Sequence, residues 1–400
     1  MTIHTLIRNG IVGRAYAPAI VYQTPIVIND ALISARGSNI FEGNWRNDSF
    51  TDNQGAAVRI DTNAAVILRN SRIVAQQYGV RRIGATGGEP TGGNVTVQNC
   101  VVVVRNTTSA GVAAGYGIRL WEPVSLVAEN NTFIGGGGIS ARGSASYVNP
   151  TTTVRIRYNR CLDLMGLRSD GAGGYVLETG AGDIEKRQFT QLDHLHVPTG
   201  AVEIAWNETI NAPFLSRPED TINIYGLRCT VSNPALIHDN YIQGGSPTRP
   251  YDVGMGGTGI VCEKDARYVQ IEDNQIVSYG NAAITLVNSD NCHALRNRAV
   301  GDGKVNGQTS FSRREAFLLY NADASPQTTN CSFEDNLHAW AGPGGNLAPA
   351  YAPEAGSNGN FLSGMTSLGT PDEAMEAAEW TAWVAKKTAA GVVVGSSLSV

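Results

Sequence analysis

One recurring pattern limits the possible folds of this chain more than any other feature. A short alternating strand is followed by a turn of variable length, a second alternating strand, one residue that is usually Asn, and a third short strand. The copies lie at residues 57–74, 117–134, 226–242, 259–277, 282–300 and 316–338. A repeat of this kind indicates a solenoid, because each unit can bury its apolar side only against its neighbours.

The Asn position sets the register of these copies. Ser71 and Cys100 occupy it in the first copies, and the later ones have Asn131, Asn159, Asn240, Asn274, Asn297 and Asn336. Asn tolerates the left-handed conformation that a sharp bend needs, and its amide can bond to the neighbouring coil. We therefore predict an Asn ladder with a spacing of about 4.8 Å between strands. A degraded coil near residues 189–197 fills the long gap after Asn159.

The repeat predicts an all-β chain folded as a right-handed, single-stranded parallel β-helix of about nine to ten coils. A β-sandwich or a propeller also has many short strands and is the alternative. Residues 1–56 are expected to form an irregular cap or first coil, residues 57–340 the β-helix, and residues 341–400 a loop, a helix and a tail. Thr370 as N-cap and Pro371 at the first helical position predict a short C-terminal α-helix, which would cap the last coil or mediate self-association.

The composition excludes some classes of protein. The net charge of −5 argues against nucleic-acid binding, which needs clustered positive charge. No apolar run is long enough for a membrane span, and no signal peptide is visible at the start of the chain. The six Cys lack metal-binding spacing and are expected to be buried and reduced. The register places Cys292 with Cys331, and Cys229 with Cys262, at shared inward positions of adjacent coils.

This pattern resembles the pectate-lyase-like superfamily of right-handed parallel β-helices, which includes parallel β-helix repeat proteins. The resemblance covers residues 57–338, but the NTD, DD and GHG motifs of polygalacturonases and the DPHE motif of mannuronan epimerases are missing. It implies a polysaccharide lyase or hydrolase that acts on an acidic polysaccharide in a groove along one sheet. The alternative is a non-catalytic, structural or receptor-binding β-helix such as a phage tailspike, which would be a homotrimer. Either class implies an extracellular or virion location.

A row of charged and aromatic residues is predicted on the outer face of the strand that precedes the long turn. The row contains Asp61, Arg119, Trp121, Arg142, Glu178, Arg228, Glu263 and Tyr320. Aromatic rings stack on sugars, and Arg side chains bind carboxylates. We expect Arg119, Trp121 and Arg142 to bind substrate, together with Arg249 and Tyr251 from the loop at residues 246–259. An ordinary solvated face is the alternative interpretation.

Two chemistries fit an acidic polysaccharide, and the sequence does not choose between them. A lyase needs a base and a neutralising cation, which Lys264, Arg228 and Glu263 would supply here. In β-helix lyases a Lys or Arg has this role, in some of them with Ca²⁺. A hydrolase needs two carboxyl groups, for which Glu178, Asp252 and Glu263 are the candidates. His194 and His196 share one side of a predicted strand, but no third metal ligand is evident.

Overall fold

Three parallel sheets of eleven strands each form the body of the protein. The computed structural model describes residues 20–82, 92–144, 148, 152–179, 184–249, 256–305, 307–309, 314–342 and 345–399. Along the chain, successive strands enter the first, second and third sheet in turn, so neighbours within a sheet are one coil apart. This topology defines a parallel β-helix and confirms the predicted fold.

We number the sheets in the order in which the chain enters them, and coil n contains the nth strand of each sheet. Sheet 1 contains Ile26–Asn29, Ala56–Asp61, Tyr78–Arg82, Tyr116–Trp121, Gly137–Arg142, Thr190–Asp193, Ile222–Tyr225, Ile260–Glu263, Ile284–Val287, Phe317–Tyr320 and Ala350–Tyr351. Sheet 2 contains Ile40–Phe41, Val66–Arg69, Asn94–Gln98, Ser125–Glu129, Thr153–Arg157, Ala201–Ala205, Ala235–His238, Arg267–Glu272, Asp290–Leu295, Ser332–Glu334 and Phe361–Ser363. Sheet 3 contains Asn44–Asn47, Arg72–Ala75, Val101–Val104, Thr132–Gly135, Arg160–Leu162, Glu208–Ile210, Tyr241–Gln243, Gln275–Val277, Arg298–Gly301, Leu337–Trp340 and Thr366–Ser367.

The remaining elements are short, apart from one helix. An antiparallel pair joins Lys304–Val305 to Gln308–Thr309. The helices are α1 at Asp30–Arg36, a 3₁₀ turn at Asp52–Gly55 and α2 at Glu373–Ala389. No helix in the described part of the chain is long and apolar enough to cross a membrane.

The Asn ladder lies at the corner between sheets 2 and 3. The side-chain nitrogen Nδ2 of Asn240 donates to Oδ1 of Asn274, and Nδ2 of Asn274 donates to Oδ1 of Asn297, both at 2.9 Å. Between Asn159 and Asn240 lies one further member, Asn207, which the sequence comparison missed. The described residues form eleven coils, more than the nine to ten predicted. The first and last coils lack the Asn signal, because their ladder positions are occupied by Gly43 and Met365.

The physical reason for the ladder differs from the predicted one. Positive φ angles occur at the residues immediately before the ladder position, which include Tyr158, Trp206, Asp239, Asp273 and Arg296. The ladder Asn residues are at most 1% exposed and do not adopt that conformation. Asn is needed here because its side chain can both donate and accept within a buried corner. The bend is made by the residue before it.

The cysteines follow the predicted register in one pair only. All six are buried and unpaired with one another as disulfides. The amide nitrogen of Cys292 lies 3.5 Å from Sγ of Cys331, so these two residues share one inward position on adjacent coils as predicted. The prediction for Cys229 and Cys262 is wrong, because Cys262 lies opposite Ile224 and Cys229 follows the end of the sheet 1 strand.

The C-terminal helix lies along the outer face of sheet 3 and not across the end of the solenoid. Its N-cap is Asp372, whose side chain accepts from the amide of Met375 at 2.7 Å, so the helix begins two residues later than predicted. Trp383 stacks on Tyr241 of coil 7 with 6.0 Å between ring centroids. The expected role as a cap of the last coil is therefore corrected: the helix covers sheet 3.

Candidate functional site

A cleft of about 430 Å³ lies over the outer face of sheet 1, across coils 4 to 8. Its floor is a row of outward side chains on neighbouring strands, one from each coil. Strand register places Trp121, Arg142, Asp193, Tyr225 and Glu263 in that order along the row. They point outward because side chains alternate along a strand and their sequence neighbours fill the core. Trp121 stands at one end of the row, beside the cleft, and the other four line it.

The end of the cleft over coils 4 and 5 is rich in cations. Arg119 and Arg142 come from the floor, and Arg187 comes from the chain segment between coils 5 and 6. Lys186 of the same segment pairs with Glu219 at the other end of the cleft. The guanidinium of Arg142 lies 5.9 Å from the ring centre of Trp121, and its Nε lies 2.7 Å from a carboxylate oxygen of Asp193. This end can bind a carboxylate or a sulfate group through charge-assisted hydrogen bonds.

Glu219 and Glu263 line the opposite end of the cleft, and a third carboxyl group, Asp220, shares an amide partner with Glu263. Nδ2 of Asn223 donates to Asp220 at 3.0 Å and to Glu263 at 2.9 Å, so one buried amide holds both side chains. Burial raises the pKa of Glu263, and the charge of Asp220 raises it further. Burial, with a contribution from Glu219, raises the pKa of Asp220 to about 7. Carboxyl groups with raised pKa values beside a cleft are candidates for acid–base chemistry.

Glu219 is held differently from Glu263, although both line the cleft. Nζ of Lys186 lies 3.1 Å from one of its oxygens, and the amide of Gln188 donates to the other at 2.6 Å. Burial raises the pKa of Glu219, while Lys186 acts in the opposite direction. The ion pair therefore favours the charged form of Glu219 more than the neutral amide favours that of Glu263. Unequal surroundings of this kind can give two carboxyl groups different pKa values, so that one acts as the acid and the other as the base.

An aromatic and imidazole pair lies between the two ends. The ring centroids of His194 and Tyr225 are 5.2 Å apart in an edge contact, and Nδ1 of His194 contacts the carboxylate of Asp193. Asp193 is thus shared between His194 and Arg142. His194 has a positive φ angle and follows the end of its strand, so the alternation expected for His194 and His196 is broken there.

Three of the predicted site residues, Arg119, Arg142 and Glu263, line the cleft. Glu178, expected to point outward, is fully buried and pairs with Arg217 at 2.5 Å. It belongs to the segment between coils 5 and 6 and to no strand of sheet 1. That prediction is corrected, because a buried carboxylate with a buried Arg partner is a structural ion pair.

Two other predicted catalytic residues, Arg228 and Lys264, are not among the residues that line the cleft. Arg228 is beyond the end of its sheet 1 strand and pairs with Asp265 at 2.7 Å. Lys264 pairs with Asp323, and that hydrogen bond raises the pKa of Lys264, which keeps its amine protonated and so less available as a general base.

Five further predicted positions lie elsewhere in the chain. Asp61 pairs with Arg59 at 3.3 Å. Tyr320 lies further along the outward row, opposite Val287. Arg249 donates to the backbone carbonyl of Glu178 at 3.3 Å. Tyr251 and Asp252 lie outside the described residues.

Sequence reasoning missed Asp193, Lys186, Glu219, Asp220 and Asn223. The signal that could have found some of them was Asn207. Once Asn207 is recognised as a ladder residue, the strands of coil 6 fall at Thr190–Asp193 and Ala201–Ala205, and Asp193 joins the outward row. Lys186 and Glu219 lie in connecting segments, where no repeat predicts a position.

The described residues contain no group of three or more His, Cys, Asp or Glu side chains arranged to hold a metal ion. Ca²⁺, which the resemblance to lyases left open, therefore has no evident carboxylate cage in the described ranges. Glu219 is bound by Gln188 and Lys186, Glu263 by the amide of Asn223, and Asp193 by Arg142 and His194.

No protein-family model matches the chain, and no curated protein matches it. Similar solved structures include a mannuronic acid specific polysaccharide family 6 lyase from human gut microbiota, at 9% identity and TM-score 0.39, over 98% of this chain and 94% of that one. The Dettilon tailspike protein is 12% identical with TM-score 0.39, over 87% of this chain and 60% of that one. The periplasmic alginate epimerase AlgG is 10% identical with TM-score 0.28, over 86% and 84%. The assignment of this chain as a parallel β-helix rests on its own sheet topology.

Proposed function

We propose that this β-helix binds an acidic polysaccharide in the cleft over sheet 1 and hydrolyses it there. The observation that carries the proposal is the pairing, in one cleft, of a cationic end with two carboxyl groups of raised pKa. The cations would bind the acidic groups of the polymer, and the carboxyl groups would act on the neighbouring glycosidic bond.

Glu263 and Glu219 would divide the chemistry between them. Glu263, held by the neutral amide of Asn223, would carry the proton and donate it to the glycosidic oxygen. Glu219, held by Lys186 and Gln188, would act as the ionised carboxylate that activates water or attacks the sugar. Asp220 contacts the same amide of Asn223 and would position Glu263.

Hydrolysis is favoured over elimination by the surroundings of the predicted lyase residues. Lys264 is bound to Asp323, and Arg228 is bound to Asp265. Neither residue lines the cleft, whereas both glutamates do.

The test is a screen of acidic polysaccharides for new reducing ends, with ultraviolet absorbance recorded to detect unsaturated ends. Hydrolysis predicts reducing ends without that absorbance. Glu263→Gln and Glu219→Gln should each lower the rate by about 100-fold or more. Glu334→Gln, on the outer face of sheet 2, is the matched control and should keep the rate.

Two results would contradict the proposal. Unsaturated products would show a lyase. Tight binding without cleavage of any polymer would favour the non-catalytic, receptor-binding alternative. Circular dichroism of each variant shows whether the fold is intact.

A further inference from the structure

The buried carboxylate of Glu178 joins three successive connecting segments of the chain. These segments run from sheet 3 to sheet 1 and comprise residues 163–189, 211–221 and 244–259. Oε1 of Glu178, in the first segment, accepts from Nε of Arg217 in the second at 2.5 Å. Oε2 accepts from the backbone nitrogen of Thr248 in the third at 3.0 Å, and from its hydroxyl at 2.7 Å. One side chain therefore links the connections of neighbouring coils.

The same three segments hold the carboxyl groups at one end of the cleft. The first supplies Lys186 and Gln188, which bind Glu219. The second supplies Glu219 itself and Asp220. The third supplies the backbone nitrogen of Thr258, which donates to Asp220 at 2.8 Å. The relative positions of these groups therefore depend on how the three segments are held together.

Backbone hydrogen bonds connect Arg217 to the wall of the cleft. The amide of Arg217 donates to the carbonyl of Leu164 at 2.7 Å, and its carbonyl accepts from the amide of Gly166 at 2.9 Å. The carbonyl of Gly166 in turn accepts from the amide of Glu185 at 2.8 Å. A Cβ at Gly166 would lie 2.4 Å from the carbonyl oxygen of Glu185, so glycine permits this close approach. Arg217 is thus two hydrogen bonds from the residue that precedes Lys186.

Burial gives the junction between Glu178 and Arg217 its specificity. Glu178 is fully buried, and Arg217 is 2% exposed. Such a pair adds little net stability, because the loss of hydration offsets the attraction, whereas separating the two charges inside the protein is costly. The ion pair therefore favours one relative position of the first two segments.

We propose that Glu178 and Arg217 are positioning residues that set the contact between Lys186 and Glu219 in the cleft. This inference rests on the proposed function, in which Glu219 acts as the ionised carboxylate. Neither Glu178 nor Arg217 lines the cleft, so both act through the segments that they join.

The expected consequence is a change in the ionisation of Glu219. Burial raises the pKa of Glu219, Lys186 lowers it, and Glu263 raises it. Asp220 and Tyr116 are the other titratable groups that interact with Glu219. A looser junction would weaken the contact with Lys186, so the pKa of Glu219 would rise further.

The test measures the pKa of the Glu219 carboxyl group by carbon-13 NMR of protein labelled at glutamate, with the signal assigned by its absence in Glu219→Gln. Thr248→Val removes one donor to Glu178 and keeps the buried ion pair, so this variant should stay folded even if Glu178→Gln does not. The pKa of Glu219 should rise by about 0.5 or more in each folded variant.

Glu208→Gln is the matched control, because it breaks a buried ion pair on sheet 3. It should lower the free energy of unfolding in denaturant and leave the pKa of Glu219 unchanged. An unchanged pKa in Thr248→Val and in folded Glu178→Gln overturns the inference and assigns the junction to stability alone. An equal rise in Glu208→Gln also overturns it, because the effect would then be a general result of lost stability.

Activity separates this inference from the proposed function. If the parent chain cleaves an acidic polysaccharide, kcat should fall by about tenfold in Glu178→Gln with little change in KM. The acidic limb of the pH profile should move to higher pH, since Glu219 must be ionised to act. A raised pKa of Glu219 in the variants of a chain that cleaves no polymer would support the positioning role and contradict the proposed function.

Discussion

Sheets 1 and 3 belong to the same coils, yet their outer faces hold carboxyl groups in opposite ways. On sheet 3, the buried Glu208 pairs with Arg160 at 2.8 Å and with Lys387 of α2, and it accepts from the indole of Trp383. On sheet 1, Glu263 is held by an amide beside an open cleft. The ion pairs of Glu208 stabilise the contact between sheet 3 and α2. Glu263, which has no such ion pair among its hydrogen bonds, can gain or lose a proton beside the cleft.

The pKa directions express the same difference. Although burial opposes its ionisation, the charges of Arg160 and Lys387 hold the pKa of Glu208 below its usual value. For Glu263 and Asp220, burial prevails and both pKa values are raised, with a further contribution from Asp220 to Glu263 and from Glu219 to Asp220. A carboxyl group kept in an unfavourable environment costs stability, which is typical of functional sites.

The largest expected effect is on the stability of the sheet 3 face. Trp383→Ala removes a fully buried ring that contacts Trp206 and Tyr241, and should lower the free energy of unfolding by about 3–5 kcal/mol. Thr381→Ala, on the exposed side of α2, is the control and should cost far less. Denaturant unfolding measures both. If Trp383→Ala also abolished glycan binding while folded, the separation of the two faces would be wrong.

A smaller effect is expected on binding to the sheet 1 face. Trp121→Ala should weaken binding of an acidic hexasaccharide by about tenfold, since the ring stands beside Arg142 at the cationic end. Arg228→Ala should change the affinity by less than about threefold, because Arg228 is paired with Asp265 outside the cleft. Titration calorimetry compares the two. If both variants lost the same amount of affinity, the binding face would have to include Arg228, outside the cleft.

The smallest expected effect is on how stability depends on pH, which should have opposite signs for Glu208 on sheet 3 and Asp220 beside sheet 1. The folded pKa of Glu208 is depressed, so its stabilisation is present above its usual pKa of 4.5 and is lost as the pH falls through the folded value. The folded pKa of Asp220 is raised from 3.8 to about 7, so its contribution is present below 3.8 and is lost as the pH rises through about 7.

Two variants separate these contributions by thermal unfolding. Asp220→Asn should reduce the loss of Tm between about pH 5 and pH 8 by about 2 °C or more. Glu208→Gln should instead reduce the loss of Tm on acidification below about pH 4.5. If Tm depended on pH identically in both variants and in the parent chain, the two faces would not differ in their electrostatics as described.

The sequence predicted the fold well because the repeat is a local pattern with a physical cause. Alternation identified the inward residues, and the Asn corner identified the coils, including the shared position of Cys292 and Cys331. The register failed where the copies are irregular. Asn207 was missed because residues 163–189, which connect coil 5 to coil 6, form the longest connection between sheet 3 and sheet 1 and break the spacing of the repeat.

The candidate site was only partly predictable for the same reason. Arg119, Arg142 and Glu263 lie on strands, so alternation placed them outward. Glu178 was misplaced because the segment between coils 5 and 6 forms no sheet 1 strand there. Lys186 and Glu219 reach the cleft from connecting segments, whose paths depend on tertiary packing and not on a period.

The most direct test of the central claim is a crystal structure of the protein with a bound acidic hexasaccharide. We expect ordered sugars on the outer face of sheet 1, with an acidic group within hydrogen-bond distance of Arg119 or Arg142 and a glycosidic oxygen near Glu263. Ordered sugars on sheet 2, or on sheet 1 without contact to these residues, would contradict it.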